Sequence, residues 1–345
     1  MTAHTIHDDV DQTVADVHSA APRIGLVLGG GGAVGAAYHA GALAAIEQDL
    51  GWDARRAEVI VGTSAGSLVG ALLRLGVPAM DLAALTVGLP AHVAGDALAT
   101  WLRERPALAP LSLRHLLRVP RLPRPSMLLG LARLAAEQRT LSLGGLSMLL
   151  ADGREMLAPH LAFLDTINDG RWPEQPLLVC AVRRRDWRRT IFGPHEPEVS
   201  LSQALAASCA VPGYFAGITV GGDTFVDGGV ASATNADVLA RSALDAVIVI
   251  SPMSGDTRRP SVSRVVRRAC RRTLDAELRT LRRHGMPTVV VEPSSAVTRH
   301  MPMDLMSEHS SSEIVRSAFF DTGAQIAQST LLRSLRPRGR AVSRP

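Results

Sequence analysis

The sequence predicts an α/β fold in which a mainly parallel central sheet is covered by helices. Two observations carry that expectation. Ile24–Leu28, Ala246–Ile250 and Thr288–Val291 are short, continuously apolar runs, as strands buried on both faces require. Near the start of the chain a strand, a glycine-rich turn and a helix follow one another, and the same order then recurs.

The elements follow in order. Residues 1–22 are polar and aperiodic, with Asp8, Asp9, Asp11 and Asp16, and read as a mobile tail without the features of a signal peptide. Ile24–Leu28 is the first strand, Gly29–Gly32 ends it, and Val34–Gln48 forms an Ala-rich helix. Glu58–Val61 is the second strand, Gly62–Gly66 its turn, and an apolar helix runs on to Leu75. From Pro90 to Leu164, Arg-Pro and Leu-Pro steps cut the chain into short amphipathic pieces. That stretch reads as a lid-like insertion over the sheet. Strands resume at Leu177–Val182 and Thr190–Phe192, around the polar Arg183–Arg189 turn. A helix over Leu201–Ser208 and a strand near Thr224–Val226 come next. The Val262–His284 helix separates the last two strands and carries Arg264, Arg267, Arg268, Arg271 and Arg272, which we expect on a solvated face. Ser311–Leu332 is the last helix, and residues 336–345 form a loose basic tail. No linker divides residues 23–335, so one domain is expected.

Composition narrows the function classes. Hydrophobic residues make up 46% of the chain but aromatics only 3%, so Leu, Val and Ala must fill the core. The net charge is +5, and Lys is absent, so every fixed positive side chain is Arg. That charge is spread along the chain without interleaved aromatics, which speaks against nucleic acid as a partner. Cys180, Cys209 and Cys270 are odd in number and lack metal-ligand spacing, which fits a reducing, cytoplasmic setting. No metal and no cofactor is expected. No apolar run is long and unbroken enough to suggest a membrane span, so a soluble protein is expected. Its arginines suit peripheral contact with an anionic membrane surface. Oligomeric state is not legible.

Three motifs can carry chemistry. Gly62-Thr63-Ser64-Ala65-Gly66 fits G-x-S-x-G between a strand and a helix, where glycines relieve a crowded turn that lifts the serine hydroxyl above the sheet. A serine that merely caps the helix is the bland alternative. Gly29-Gly30-Gly31-Gly32 exposes backbone N–H groups able to hold a phosphate or an acyl oxyanion. Gly30, Gly32 and Gly35 also match a dinucleotide pattern, but the second strand ends in the serine turn without the carboxylate a ribose needs. Asp227-Gly228-Gly229 places a carboxylate at a strand end that another segment can approach closely, although a plain turn aspartate has the same pattern. A Ser-His-Asp triad would need a late histidine, and His284, His300 and His309 are the candidates, none in a recognisable strand-end loop. His39 reads as a satisfied helix residue.

Taken in order, these motifs resemble the patatin-like phospholipase family. Ala207–Phe215 resembles its segment ahead of the D-G-G turn, and Ser232–Ala236 its stretch afterwards. The likeness covers Ile24 to Ser251, apart from Pro90–Leu164. It implies a three-layer α/β/α sandwich and a lipid acyl hydrolase with a Ser-Asp dyad. Ser64 would be the nucleophile, Asp227 the base, Gly30, Gly31 and Gly32 the oxyanion loop, and Gly62 and Gly66 the glycines of the nucleophile turn. Many relatives carry Arg or Lys where this chain has Val34, which puts phospholipid head-group binding in doubt. An acyltransferase or thioesterase using the same dyad, and a non-catalytic lipid-sensing scaffold, remain open.

Overall fold

A computed structural model describes residues 22–91, 98, 100–101, 153, 156–167, 169, 171–195, 198–255 and 262–334. The expected insertion at 90–164 and the two expected tails lie largely outside these residues. Among the described residues the strands are β1 (Ile24–Leu28), β2 (Val59–Thr63), β3 (Leu177–Arg183), β4 (Arg188–Phe192), β5 (Ile218–Val220), β6 (Asp223–Asp227), β7 (Ala246–Ile250) and β8 (Thr288–Val291). The helices are α1 (Gly32–Leu50), α2 (Ala65–Arg74), α3 (Ala79–Thr86), α4 (Ala158–Leu161), α5 (Phe163–Ile167), α6 (Leu201–Ser208), α7 (Val262–Arg283), α8 (Ser295–Thr298), α9 (Ser311–Gln328) and α10 (Thr330–Ser334).

All strands share one sheet, with a parallel core in the order β3-β2-β1-β7-β8. The pleat sorts side chains between two helical layers. Leu26, Leu28, Ile60, Val179, Ile248 and Ile250 pack with Leu43 of α1, Leu73 of α2, Leu205 of α6 and Ile314 of α9. Val27, Val61, Val247 and Val249, one residue out of phase, pack with Leu274, Leu278 and Leu281 of α7. The result is a three-layer α/β/α sandwich, as expected.

One feature of the sheet sets the site. Strand β3 has two hydrogen-bonding edges, and along Val179–Arg183 one of them goes to antiparallel β4. The other edge pairs with β2 up to Cys180↔Thr63 and then, antiparallel, with β6 from Ala181↔Asp227 onward. β2 and β6 therefore meet head to head along a single edge of β3. Adjacent residues Cys180 and Ala181 thereby bring the end of β2, and Ser64 after it, beside Asp227.

Several boundaries differ from expectation. β2 runs to Thr63, because Gly62 and Thr63 still pair with Val179 and Cys180. Likewise β6 extends one residue beyond the expected Thr224–Val226 at each end, and Asp227 closes it, the strand-end position expected of this carboxylate. β5 was not legible; it is three residues long and pairs with β6 alone. Helix α3, eight residues opened by Pro78, is not among the expected elements either. The final helix breaks at Ser329, whose ψ of 115° is extended.

Candidate active site

Ser64 sits at the N-cap of α2 with φ 51° and ψ −123°, a backbone conformation that costs a residue with a Cβ about 1–3 kcal/mol. Its surroundings hold it there. The Ser64 N–H donates to Ser208 Oγ at 2.9 Å, and the Ser208 hydroxyl donates to the Cys180 carbonyl at 2.6 Å. Ser67 Oγ donates to the Ser64 carbonyl at 2.6 Å. The flanking glycines are needed for close approach: a Cβ on Gly66 would strike the Leu28 carbonyl, and one on Gly62 would strike Ser67. The turn is thus wedged between β1 and the start of its own helix. Ser64 is 7% exposed.

Asp227 is fixed through its backbone, whose N–H donates to the Ala210 carbonyl at 3.0 Å. Oδ1 accepts from the Gly229 N–H at 2.6 Å. Among the described residues, Oδ2 is buried without a hydrogen-bond partner. Burial pushes the carboxyl up from 3.8 to about 6, while the nearby Ser64 hydroxyl and the Gly229 N–H pull it back. The Ser64 side chain thus faces this carboxyl, and no hydrogen bond to Oδ2 closes among the described residues. Cys209 lies against the same pair, and burial pushes its thiol up to about 12, so it stays neutral.

The glycine loop lies against the serine: a Cβ built on Gly30 would fall 3.3 Å from Ser64 Cβ. Not all of its N–H groups are free. Gly29 donates to the Ile250 carbonyl at 3.0 Å and Gly30 to the Ala233 carbonyl at 2.8 Å. Among the described residues, the Gly31 and Gly32 N–H groups have no such partner, and they open the N-terminal end of α1. Of the three glycines expected to line the loop, Gly30 anchors it and two keep donors available. Gly31 adopts φ 154°, where a Cβ would come within 2.9 Å of Gly35 Cα. His39 supports the loop from behind, donating from Nε2 to the Gly29 carbonyl at 2.7 Å. Burial lowers its pKa to about 4, so it is neutral.

The family model for patatin-like phospholipases matches residues 26–240, more than half of the chain. The chain belongs to the patatin-like phospholipase family. Comparison with curated proteins gives no match. Among solved structures it resembles VipD from Legionella pneumophila at 14% identity and TM-score 0.43, covering 90% of this chain and 68% of that one. It also resembles the human GIVD cytosolic phospholipase A2 in complex with methyl gamma-linolenyl fluorophosphonate, at 13% identity and TM-score 0.41, covering 91% and 59%. A third is the type III effector protein ExoU, at 16% identity and TM-score 0.34, covering 89% and 53%. The chain thus spans less than two thirds of the second and third of these proteins. The family assignment rests on the sequence match and not on these likenesses.

In this patatin-like chain the late histidines do not join the site. His284 is exposed and donates from Nδ1 to the Thr280 carbonyl at 3.0 Å. His309 is exposed and His300 half-buried, and among the described residues neither bonds Ser64 or Asp227. Val34 is buried, and its N–H donates to the Leu305 carbonyl at 3.1 Å. The arginine stripe of α7 is not wholly solvated: Arg267 is buried, donating to the carbonyls of Pro252 at 2.9 Å and Ser254 at 2.7 Å. Arg268 and Arg272 are exposed, as expected. Among the described residues, no His/Cys/Asp/Glu group could hold a metal ion, and no helix is long and apolar enough to cross a membrane. Sequence reasoning missed the positioning parts, Ser208 and Ala210. Their only signal was their place in Ala207–Phe215, since a buried serine hydroxyl bridging two backbones has no pattern of its own.

Proposed function

We propose that this patatin-like protein hydrolyses acyl esters of lipids, with Ser64 as nucleophile and Asp227 as base. Ser64 Oγ attacks the ester carbonyl carbon while its proton passes to Asp227 Oδ2. The N–H groups of Gly31 and Gly32 receive the negative charge that develops on the carbonyl oxygen. Collapse expels the alcohol, which takes the proton from Asp227 and leaves the acyl group on Ser64. Water then attacks the acyl-enzyme, gives a proton to Asp227, and Ser64 leaves with that proton as the fatty acid departs. The observation that carries this reading is the head-to-head meeting of β2 and β6, with a buried and unpartnered Oδ2 beside Ser64. A carboxyl raised to about 6 is a stronger base than an ordinary one and is still mostly ionised at neutral pH.

A fluorophosphonate probe tests the assignment directly. Peptide mapping of the labelled protein should place the adduct on Ser64 and nowhere else; an adduct on another serine would overturn it.

The glycine loop yields a second expected outcome. Gly31→Val should lower kcat by about 100-fold or more, since loss of one oxyanion donor costs about 3 kcal/mol. The new Cβ meets Gly35, and the backbone at φ 154° does not suit a β-branched residue. Steady-state kinetics on a p-nitrophenyl ester would check it, and wild-type turnover would show that the donors lie elsewhere.

Contact with anionic membrane is part of the same proposal. Arg268, Arg272, Arg279, Arg282 and Arg283 are exposed on α7, and salt should screen their attraction to acidic lipid. Sedimentation with anionic vesicles should exceed that with neutral vesicles at low salt and fall at high salt. Equal, negligible binding to both would reduce these arginines to solvated surface.

A further inference from the structure

The turn after Asp227-Gly228-Gly229 is held by more buried polar contacts than a simple return needs. Asn235 is fully buried at φ 54°, a left-handed conformation that asparagine tolerates better than most residues. Its Nδ2 donates both to Thr63 Oγ1 at 3.0 Å and to the Ser232 carbonyl at 2.8 Å. Its Oδ1 accepts from Arg189 at 3.2 Å, so both ends of the amide are engaged. Thr63 is the residue before Ser64. Two residues ahead of Asn235, the Ala233 carbonyl accepts the Gly30 N–H at 2.8 Å. One turn therefore grips the nucleophile strand with a side chain and the glycine loop with its backbone.

The turn is in turn gripped from the other layer. Glu277, buried on α7, accepts from Thr234 Oγ1 at 2.5 Å and from the Ala236 N–H at 3.0 Å, one residue to each side of Asn235. The chain after Ala236 is tied to β4 by the Arg189–Asp237 pair at 2.6 Å.

We propose that Asn235, bracketed by Glu277, is a positioning residue for acyl transfer at Ser64, setting the distance between the nucleophile and the Gly31–Gly32 donors. This rests on the reading of Ser64 as nucleophile given above. The physical reason is that neither partner can hold that distance alone. Ser64 sits in a strained turn, and the glycines beside it carry no side chains with which to pack. A misplacement of about 1 Å between reacting groups costs on the order of 100-fold in rate.

The test is chosen to separate positioning from stability. Asn235→Gly keeps the left-handed backbone and removes the side chain, whereas Asn235→Asp keeps its shape but sets an acceptor against the Ser232 carbonyl and forces the Thr63 hydroxyl to turn from acceptor to donor. Thr63→Val keeps volume and removes only the hydroxyl. Each is assayed for kcat and KM on a p-nitrophenyl ester, with active sites counted by fluorophosphonate labelling so that unfolded molecules do not enter. All three should lower kcat per labelled site by about 10- to 100-fold with KM changed less than about threefold. Asn235→Gly combined with Thr63→Val should be little worse than either alone, since both break the same contact. A wild-type kcat per labelled site, even with a lowered melting temperature, makes Asn235 merely structural and overturns the proposal. Should either Asn235 variant fail to fold, Thr63→Val decides by itself. If the wild-type protein does not label at Ser64, the hydrolase reading falls and this inference with it, an outcome distinct from normal turnover in the variants.

Discussion

Ser64→Ala should abolish ester hydrolysis, by about a millionfold in kcat if Ser64 is the nucleophile, and leave the fold in place. The side chain lost is one hydroxyl, and the contacts that fix the turn use the Ser64 backbone: its N–H on Ser208 and its carbonyl on Ser67. Alanine inherits the same φ of 51° and so the same strain. Glycine does not. Ser64→Gly should be equally inactive yet more stable, by about 1–2 kcal/mol, because the penalty on a Cβ at positive φ disappears. Paired melting curves and initial rates on the two purified variants would check both halves. Ester hydrolysis at wild-type rate in Ser64→Ala would end the assignment. A less stable Ser64→Gly would show that the turn is not strained.

Asp227→Asn should be nearly as damaging, by about 10⁴-fold in kcat, because an amide cannot take the serine proton. Single changes of His284, His300 or His309 to Gln should leave most of the activity. In a Ser-His-Asp enzyme one of those histidines would instead match the serine, and that result would overturn the dyad. The pH profile supplies an independent sign. With the carboxyl raised to about 6, kcat/KM should fall about tenfold per unit below that pH, as the base is protonated.

The same shift predicts a stability effect of opposite direction. Asp227 binds its proton more tightly folded, at about 6, than at its ordinary 3.8. Between those values the folded state carries the extra proton, so stability falls as pH rises through the window. The ionised, buried carboxylate then costs about 3 kcal/mol at neutral pH. Asn carries no such charge. Asp227→Asn should therefore lose less stability than wild type between pH 4 and 6, within about a pH unit. Thermal melts across that range would check it, and parallel curves for the two proteins would exclude it. On the proposed mechanism, Asp227 would weaken the fold in the very protonation state in which it serves as base.

Much of this architecture is legible in the sequence, for local reasons. Ile24–Leu28 and Ala246–Ile250 announce buried parallel strands because both their faces must be apolar, and each lies within its observed strand. Gly62 and Gly66 mark the serine turn because a tight turn packed on a neighbouring strand admits no Cβ. Where the rule was weaker, the reading failed. β5 is too short to show alternation, and the strand expected near Thr224–Val226 stops one residue short at each end, because Gly222 and Gly228 flank it.

What only the tertiary structure decided is which distant segments meet. That β2 and β6 share one edge of β3 follows from hydrogen-bond register among three strands, and no periodicity within any one of them encodes it. Ser208 reaches the Ser64 backbone across 144 residues of chain, and the Ala233 carbonyl claims the Gly30 N–H that the sequence alone would leave free. The basicity of Asp227 belongs to the same class. A carboxyl's proton affinity depends on the water removed from around it, and that is set by every segment packed over the site. Sequence determined the residue types and the local turns that present them. Desolvation and long-range strand pairing, which join groups far apart in the chain, decided how they work together.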